Sequence, residues 1–124
     1  LGVIGLGGIG SRVPRLGHAL GMRVLGCDPY ATSPGYVATV SLEALLRESD
    51  AVSLHLPETD ETRGMMDARR MAMMKPTAYL INTSRGPIVQ TDAHWQPQQA
   101  FSGERYGRAY LARAPSPLLP ASLG

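Results

Sequence analysis

Leu1-Gly2-Val3-Ile4-Gly5-Leu6-Gly7-Gly8-Ile9-Gly10 opens the chain and decides how the rest is read. An apolar run of strand length passes without a break into G-x-G-x-x-G. A helical stretch follows, then a second apolar run, Met22 to Cys27, which ends in Asp28. Strand, glycine turn, helix, strand and terminal acid, in this order, are the parts of a dinucleotide-binding βαβ unit. Gly5 lets the chain turn sharply out of the strand, Gly7 leaves room for a pyrophosphate, and Gly10 lets the helix lie close to the strand. Gly8 and Ile9, inside the same turn, count with them as cofactor-binding positions. The unpaired N–H groups of the first helical turn, and the positive end of the helix dipole, then face the phosphates.

Asp28 lies close to the spacing of about 20 residues at which an acid accepts hydrogen bonds from the adenine ribose. Its carboxylate repels a 2′-phosphate, and Pro29-Tyr30 follow it with no Arg, so NAD is expected rather than NADP. The expected fold is α/β, a Rossmann-like doubly wound parallel sheet. A glycine-rich turn in some other α/β protein, including one that binds a methyl donor, is the alternative reading of this stretch alone.

The bulk properties exclude several function classes. At 124 residues there is room for one core, small for a complete α/β enzyme. The net charge of +2 comes from a slight excess of Arg without a basic patch, so no nucleic-acid partner is expected. Cys27 is the only cysteine, which rules out an internal disulfide and any Cys-rich metal motif, and no metal is expected. No signal peptide or membrane span is legible, and a cytoplasmic location is the default. The chain begins inside its first strand without Met, as a fragment would.

Along the chain, Ile9, Val13, Leu16 and Leu20 recur at helical spacing and are expected to face the sheet, with Gly21 as the helix stop. Pro14 is tolerable in that helix only within its first turn, and His18 reads as a surface residue. Residues 29–40 read as a loop with a short strand near Thr39-Val40. Ser41 reads as the cap of a helix through Leu42, Leu45 and Leu46. Asp50 to Leu56 reads as a buried strand stopped by Pro57. A polar loop over 58–63 leads to Asp67, the cap of a short helix through Met71 and Met74, and the methionines read as core filler. Pro76 ends that helix, and 78–83 form a further strand that runs into Ser84-Arg85-Gly86-Pro87.

Three motifs together resemble the NAD-binding domain of the D-isomer-specific 2-hydroxyacid dehydrogenases. They are Gly5-Leu6-Gly7-Gly8-Ile9-Gly10 with Asp28-Pro29; Ser53-Leu54-His55-Leu56-Pro57 with Glu61-Thr62; and Met74-Lys75-Pro76 leading to Ile81-Asn82-Thr83-Ser84-Arg85-Gly86. The likeness runs from Leu1 to about Ala93. It implies hydride transfer between NAD and a small 2-hydroxy or 2-keto acid, with Arg85 as the catalytic residue that binds the substrate carboxylate and 2-keto oxygen. A guanidinium suits that role, being permanently charged and able to form two parallel hydrogen bonds. The alternative for Arg85 is a structural pairing with a nearby carboxylate. The resemblance also implies that His55, Leu56 and Pro57 wall the cofactor pocket, that Thr62 supports their loop, and that Asn82 and Thr83 lie under the nicotinamide ribose. The parent protein is expected to be a homodimer.

The pattern has gaps. The family's substrate-binding domain has no counterpart here, and its catalytic histidine and partner glutamate match no residue. The chain therefore divides into a 1–93 cofactor core and a divergent 94–124 tail. From His94-Trp95-Gln96-Pro97 onward the expected Leu-Ala helix is lost, and Ala114-Pro115 stands about where Glu-Pro belongs. An out-of-frame or decayed tail, disordered from Ala112 to Gly124, and a sheet incomplete at its last strands are the expectations. On this reading the chain by itself does not turn over. A non-catalytic NAD-binding remnant, or a regulatory NAD-sensing module, are the alternatives.

Overall fold

The computed structural model describes residues 1–90, 98–103 and 107–113. Five strands run parallel: β1 (Gly2–Ile4), β2 (Val24–Cys27), β3 (Val37–Thr39), β4 (Ala51–Leu54) and β5 (Tyr79–Asn82). Their spatial order is β3-β2-β1-β4-β5. The chain thus winds outward from β1 to β3, then crosses back to the other side of β1. The carboxyl ends of β1 and β4 flank the switch point, where open α/β sheets form their ligand crevice. The parallel Rossmann-like sheet expected from the glycine turn is the fold observed. Beyond β5 the sheet continues with an antiparallel pair, β6 (Gln98–Gly103) and β7 (Gly107–Arg113), β7 lying next to β5. The sequence pattern did not announce this hairpin. Ala112 and Arg113, expected in a disordered tail, belong to β7; His94, Trp95, Pro97 and Ala114-Pro115 lie outside the described residues.

The helices are α1 (Arg12–Ala19), α2 (Leu42–Glu48) and α3 (Ala68–Met73). Local chemistry fixes their ends. The Ser41 hydroxyl accepts from Ala44 N at 3.2 Å, and the Asp67 carboxylate from Arg70 N at 2.9 Å, the two expected N-caps. Helix α1 stops in a Schellman arrangement: Gly21 N donates to His18 O, Met22 N donates to Gly17 O, and Gly21 has φ +81°. Pro14 falls in the first turn of α1, where its missing N–H costs no helical bond. Two boundaries differ from expectation. The third strand is Val37–Thr39, and β4 ends at Leu54, before the Pro57 assigned to stop it.

Each face of the sheet has its own core. Leu45, Leu46, Val52, Leu54, Met66 and Ile88 are fully buried on the α2/α3 face, with Met71 and Met74 packed among them. A fully buried Leu or Ile contributes about 1.5–3 kcal/mol, so this cluster dominates the hydrophobic stabilisation. The α1 face holds a smaller cluster of Val3, Leu6, Val24 and Val37.

Helix α1 does not face the sheet as its large apolar residues predict. Ile9, Leu16 and Leu20 are 72%, 60% and 81% exposed, whereas Gly10, Pro14 and Gly17 are buried, with Val13 at the margin. Close approach is the cause. A Cβ on Gly10 would collide with the Gly5 carbonyl oxygen, and one on Gly17 would sit 2.6 Å from Leu1 Cδ2. Only small residues fit between this helix and the strands. His18 does lie on the surface, stacked on Tyr36 with ring centroids 4.7 Å apart.

Candidate functional site

Two cavities open at the carboxyl ends of β1, β4 and β5. One, of about 410 Å³, is lined by Gly7, Gly8, Ile9, Gly10, His55, Leu56, Pro57, Thr83, Ser84 and Arg85. The other, of about 430 Å³, is more apolar and reaches from Gly5 past Cys27, Asp28, Pro29 and Tyr30 to Leu42, Glu61, Thr62 and Met65. Gly7, His55, Leu56 and Pro57 line both. The site residues expected from sequence converge here, with one exception treated below.

The glycines divide by what surrounds them. Gly5 has φ +89°, and a Cβ there would strike the His55 carbonyl oxygen. Gly10 is pressed on Gly5 in the same way. Around Gly7 and Gly8 nothing lies within 4 Å of an added Cβ, so both open onto free space in front of α1. Ser11 N already donates to Gly7 O and Arg12 N to Ile9 O, so the helical winding begins inside the turn. The first N–H groups of such a winding have no intrahelical acceptor, and with the dipole they favour an anion.

Asp28 has a structural duty that its position in the sequence does not disclose. Its carboxylate accepts from Leu6 N at 2.7 Å through Oδ2 and from Tyr30 N at 2.8 Å through Oδ1. The acid therefore ties the glycine turn to the end of β2. Each oxygen keeps a lone pair for a ligand hydroxyl. Cys27, beside it, is half-buried, and burial pushes its thiol pKa up.

Across the crevice, His55 N donates to Ile4 O, which fastens the strand end to β1. Its ring Nε2 lies 2.8 Å from Ser53 Oγ, and burial lowers its pKa, favouring the neutral ring. Ser53 lies in β4 and His55 just past its end, two residues on and so toward the same face. The Thr62 hydroxyl donates to Pro57 O at 2.6 Å and accepts from Thr59 N at 2.8 Å. It braces the loop behind His55-Leu56-Pro57.

Asn82 is the exception. It is 1% exposed and lines neither cavity. Its Nδ2 donates to Arg85 O at 2.8 Å, while its Oδ1 accepts from Ser84 N and Ser84 Oγ. The amide is spent on shaping the turn that presents Arg85, and Ser84 and the exposed Thr83, not Asn82, line the first cavity. Arg85 is exposed, and none of the ion pairs among the described residues involves it. The structural pairing considered for this arginine is absent among those residues.

A glycine turn open to an anion, an acid at the end of β2 and an exposed arginine beyond β5 are together a family signature. The model of the D-isomer specific 2-hydroxyacid dehydrogenase NAD binding domain matches residues 1–96. The chain belongs to this family.

Relatives of this dehydrogenase family include a glyoxylate reductase of Aeropyrum pernix, 46% identical over 97 residues, and a D-3-phosphoglycerate dehydrogenase of Synechocystis sp., 42% identical over 97 residues. Each match covers 75% of this chain but only 29% and 18% of the relative. Among solved structures, the D-lactate dehydrogenase of Aquifex aeolicus complexed with NAD and lactic acid superposes with a TM-score of 0.70. It is 48% identical, over 74% of this chain and 28% of that one. The chain thus spans less than a third of the length of these dehydrogenases and corresponds to part of their NAD-binding domain. No helix among the described residues is long and apolar enough to cross a membrane.

Proposed function

We propose that this chain holds NAD across its two cavities and forms the cofactor half of an oxidoreductase that interconverts a D-2-hydroxy acid and its 2-keto acid. The observation that carries this reading is the junction at Gly7 and His55, with Asp28 in one cavity and Arg85 in the other. The adenosine end fits the apolar cavity, where Asp28 accepts from the ribose hydroxyls and Leu56, Pro29 and Met65 supply apolar walls. The diphosphate fits over Gly7 and Gly8, where no Cβ blocks it and the turn leading into α1 offers N–H donors. The nicotinamide end then lies toward Ile9, Thr83 and Arg85.

Bound NAD supplies the hydride acceptor or donor, and the protein supplies orientation and charge. Arg85, exposed and in no ion pair among the described residues, holds the carboxylate of a 2-keto acid with two parallel hydrogen bonds and stabilises negative charge on the neighbouring oxygen. No residue of this sequence is assigned as the proton donor to that oxygen, so the 124 residues bind cofactor without turnover. A reducing cytoplasm and a homodimeric parent accompany this reading. The test is a pair of fluorescence titrations with NADH and NADPH. Saturable binding with NADH preferred by at least about tenfold, the worth of one unfavourable charge contact, is expected. Equal affinity for the two would remove Asp28 from the ribose site.

A further inference from the structure

The residues that both cavities share mark the place a dinucleotide must cross, and only one of them carries a titratable side chain: His55, beside Gly7, Leu56 and Pro57. The ring is not free to turn. Nε2 is 2.8 Å from the hydroxyl of Ser53, and Ser53 is 5% exposed. Below the ring the backbone is equally fixed, with Gly5 and Gly10 pressed on the His55 carbonyl and Cβ. A buried hydroxyl that bonds one ring nitrogen decides which nitrogen faces the other way.

We propose that Ser53 is a positioning residue of this site: its hydroxyl holds the His55 ring by Nε2 at the junction of the cavities, leaving Nδ1 for the diphosphate oxygens of the dinucleotide that crosses there. The inference rests on the cofactor reading above. Ser53 Oγ can donate to the neutral ring or accept from the charged one, so it holds the imidazole in both states. The charged ring adds attraction for a diphosphate and a stronger bond to Ser53. Affinity therefore rises as pH falls through the His55 transition. Among the described residues, the other charged or titratable groups that line the two cavities with His55 are Arg85 beyond β5, Cys27, Asp28 and Tyr30 at the end of β2, and Glu61 beyond β4; the glycine turn supplies none.

The experiment is NADH affinity of the 124-residue chain from pH 8 to 5, for wild type, Ser53→Ala, Ser53→Thr and His55→Gln, with circular dichroism of each. Ser53→Ala should bind NADH about three- to tenfold more weakly, the worth of one hydrogen bond, with its inflection moved to lower pH. Ser53→Thr should restore both, and His55→Gln should abolish the inflection and isolate it from the carboxylates. Wild-type affinity and inflection in Ser53→Ala, or equal losses in Ser53→Ala and Ser53→Thr with native spectra, would overturn the proposal while leaving the cofactor reading intact. A wild-type chain that binds no NADH at any pH would overturn both.

Discussion

The glycine turn and helix α1 have two sides under opposite constraints. The inner side, Gly5, Gly10, Pro14 and Gly17, is packed so closely that added atoms have nowhere to go. The outer side, Gly7, Gly8, Ile9, Leu16 and Leu20, faces a cavity or solvent. One motif therefore combines two unrelated demands. Its inner glycines are a condition of folding; its outer glycines are a condition of letting something bind.

The difference can be broken most severely at Gly10. An alanine there drives a Cβ into the Gly5 carbonyl, a backbone atom that cannot step aside, and should destabilise the chain by about 3 kcal/mol or more. Urea unfolding read by circular dichroism measures this, and a stability equal to wild type would refute the packing described.

A smaller effect is expected from His55, which stands against the inner glycines. Burial lowers its pKa in the folded chain, so below the ordinary value of 6.5 the unfolded chain takes up more protons than the folded one. Stability should fall as pH drops from about 6.5 toward the lowered folded value. The urea midpoint at pH 5 and pH 7 should differ more for wild type than for His55→Gln. An equal difference in both would assign the pH dependence to other groups.

The smallest effect belongs to the outer face of α1. Leu16→Gln and Leu20→Gln remove apolar surface that is already in water, and each should change stability by less than about 0.5 kcal/mol. Losses of 2 kcal/mol, typical of a buried leucine, would return these residues to the core.

How much of this the sequence discloses follows the same division. Short-range chemistry is legible: the strand–glycine–helix order, the caps at Ser41 and Asp67, the stop at Gly21 and the methionine filling. Helix α1 misleads because periodicity finds large apolar residues, whereas a helix packed tightly on a parallel sheet selects small ones. Asp28 is singled out by its position and Asn82 only through the family resemblance, but their hydrogen bonds to Leu6, Tyr30, Ser84 and Arg85 depend on where loops fold back. Ser53 enters only as part of a motif, because a serine in a buried strand carries no signal of its own until its partner is seen. The β6/β7 hairpin escapes because no apolar alternation marks it.

The central claim is that NAD lies over the open side of the glycine turn, and Gly7→Ala tests it most directly. The added methyl meets nothing within 4 Å in the chain itself, so the fold should keep its melting temperature to within a few degrees. The same methyl occupies the space assigned to the diphosphate. Wild type should therefore bind NADH saturably and Gly7→Ala about tenfold more weakly or worse, at unchanged stability. Equal NADH affinity in the two chains, or no binding by wild type, would contradict the account.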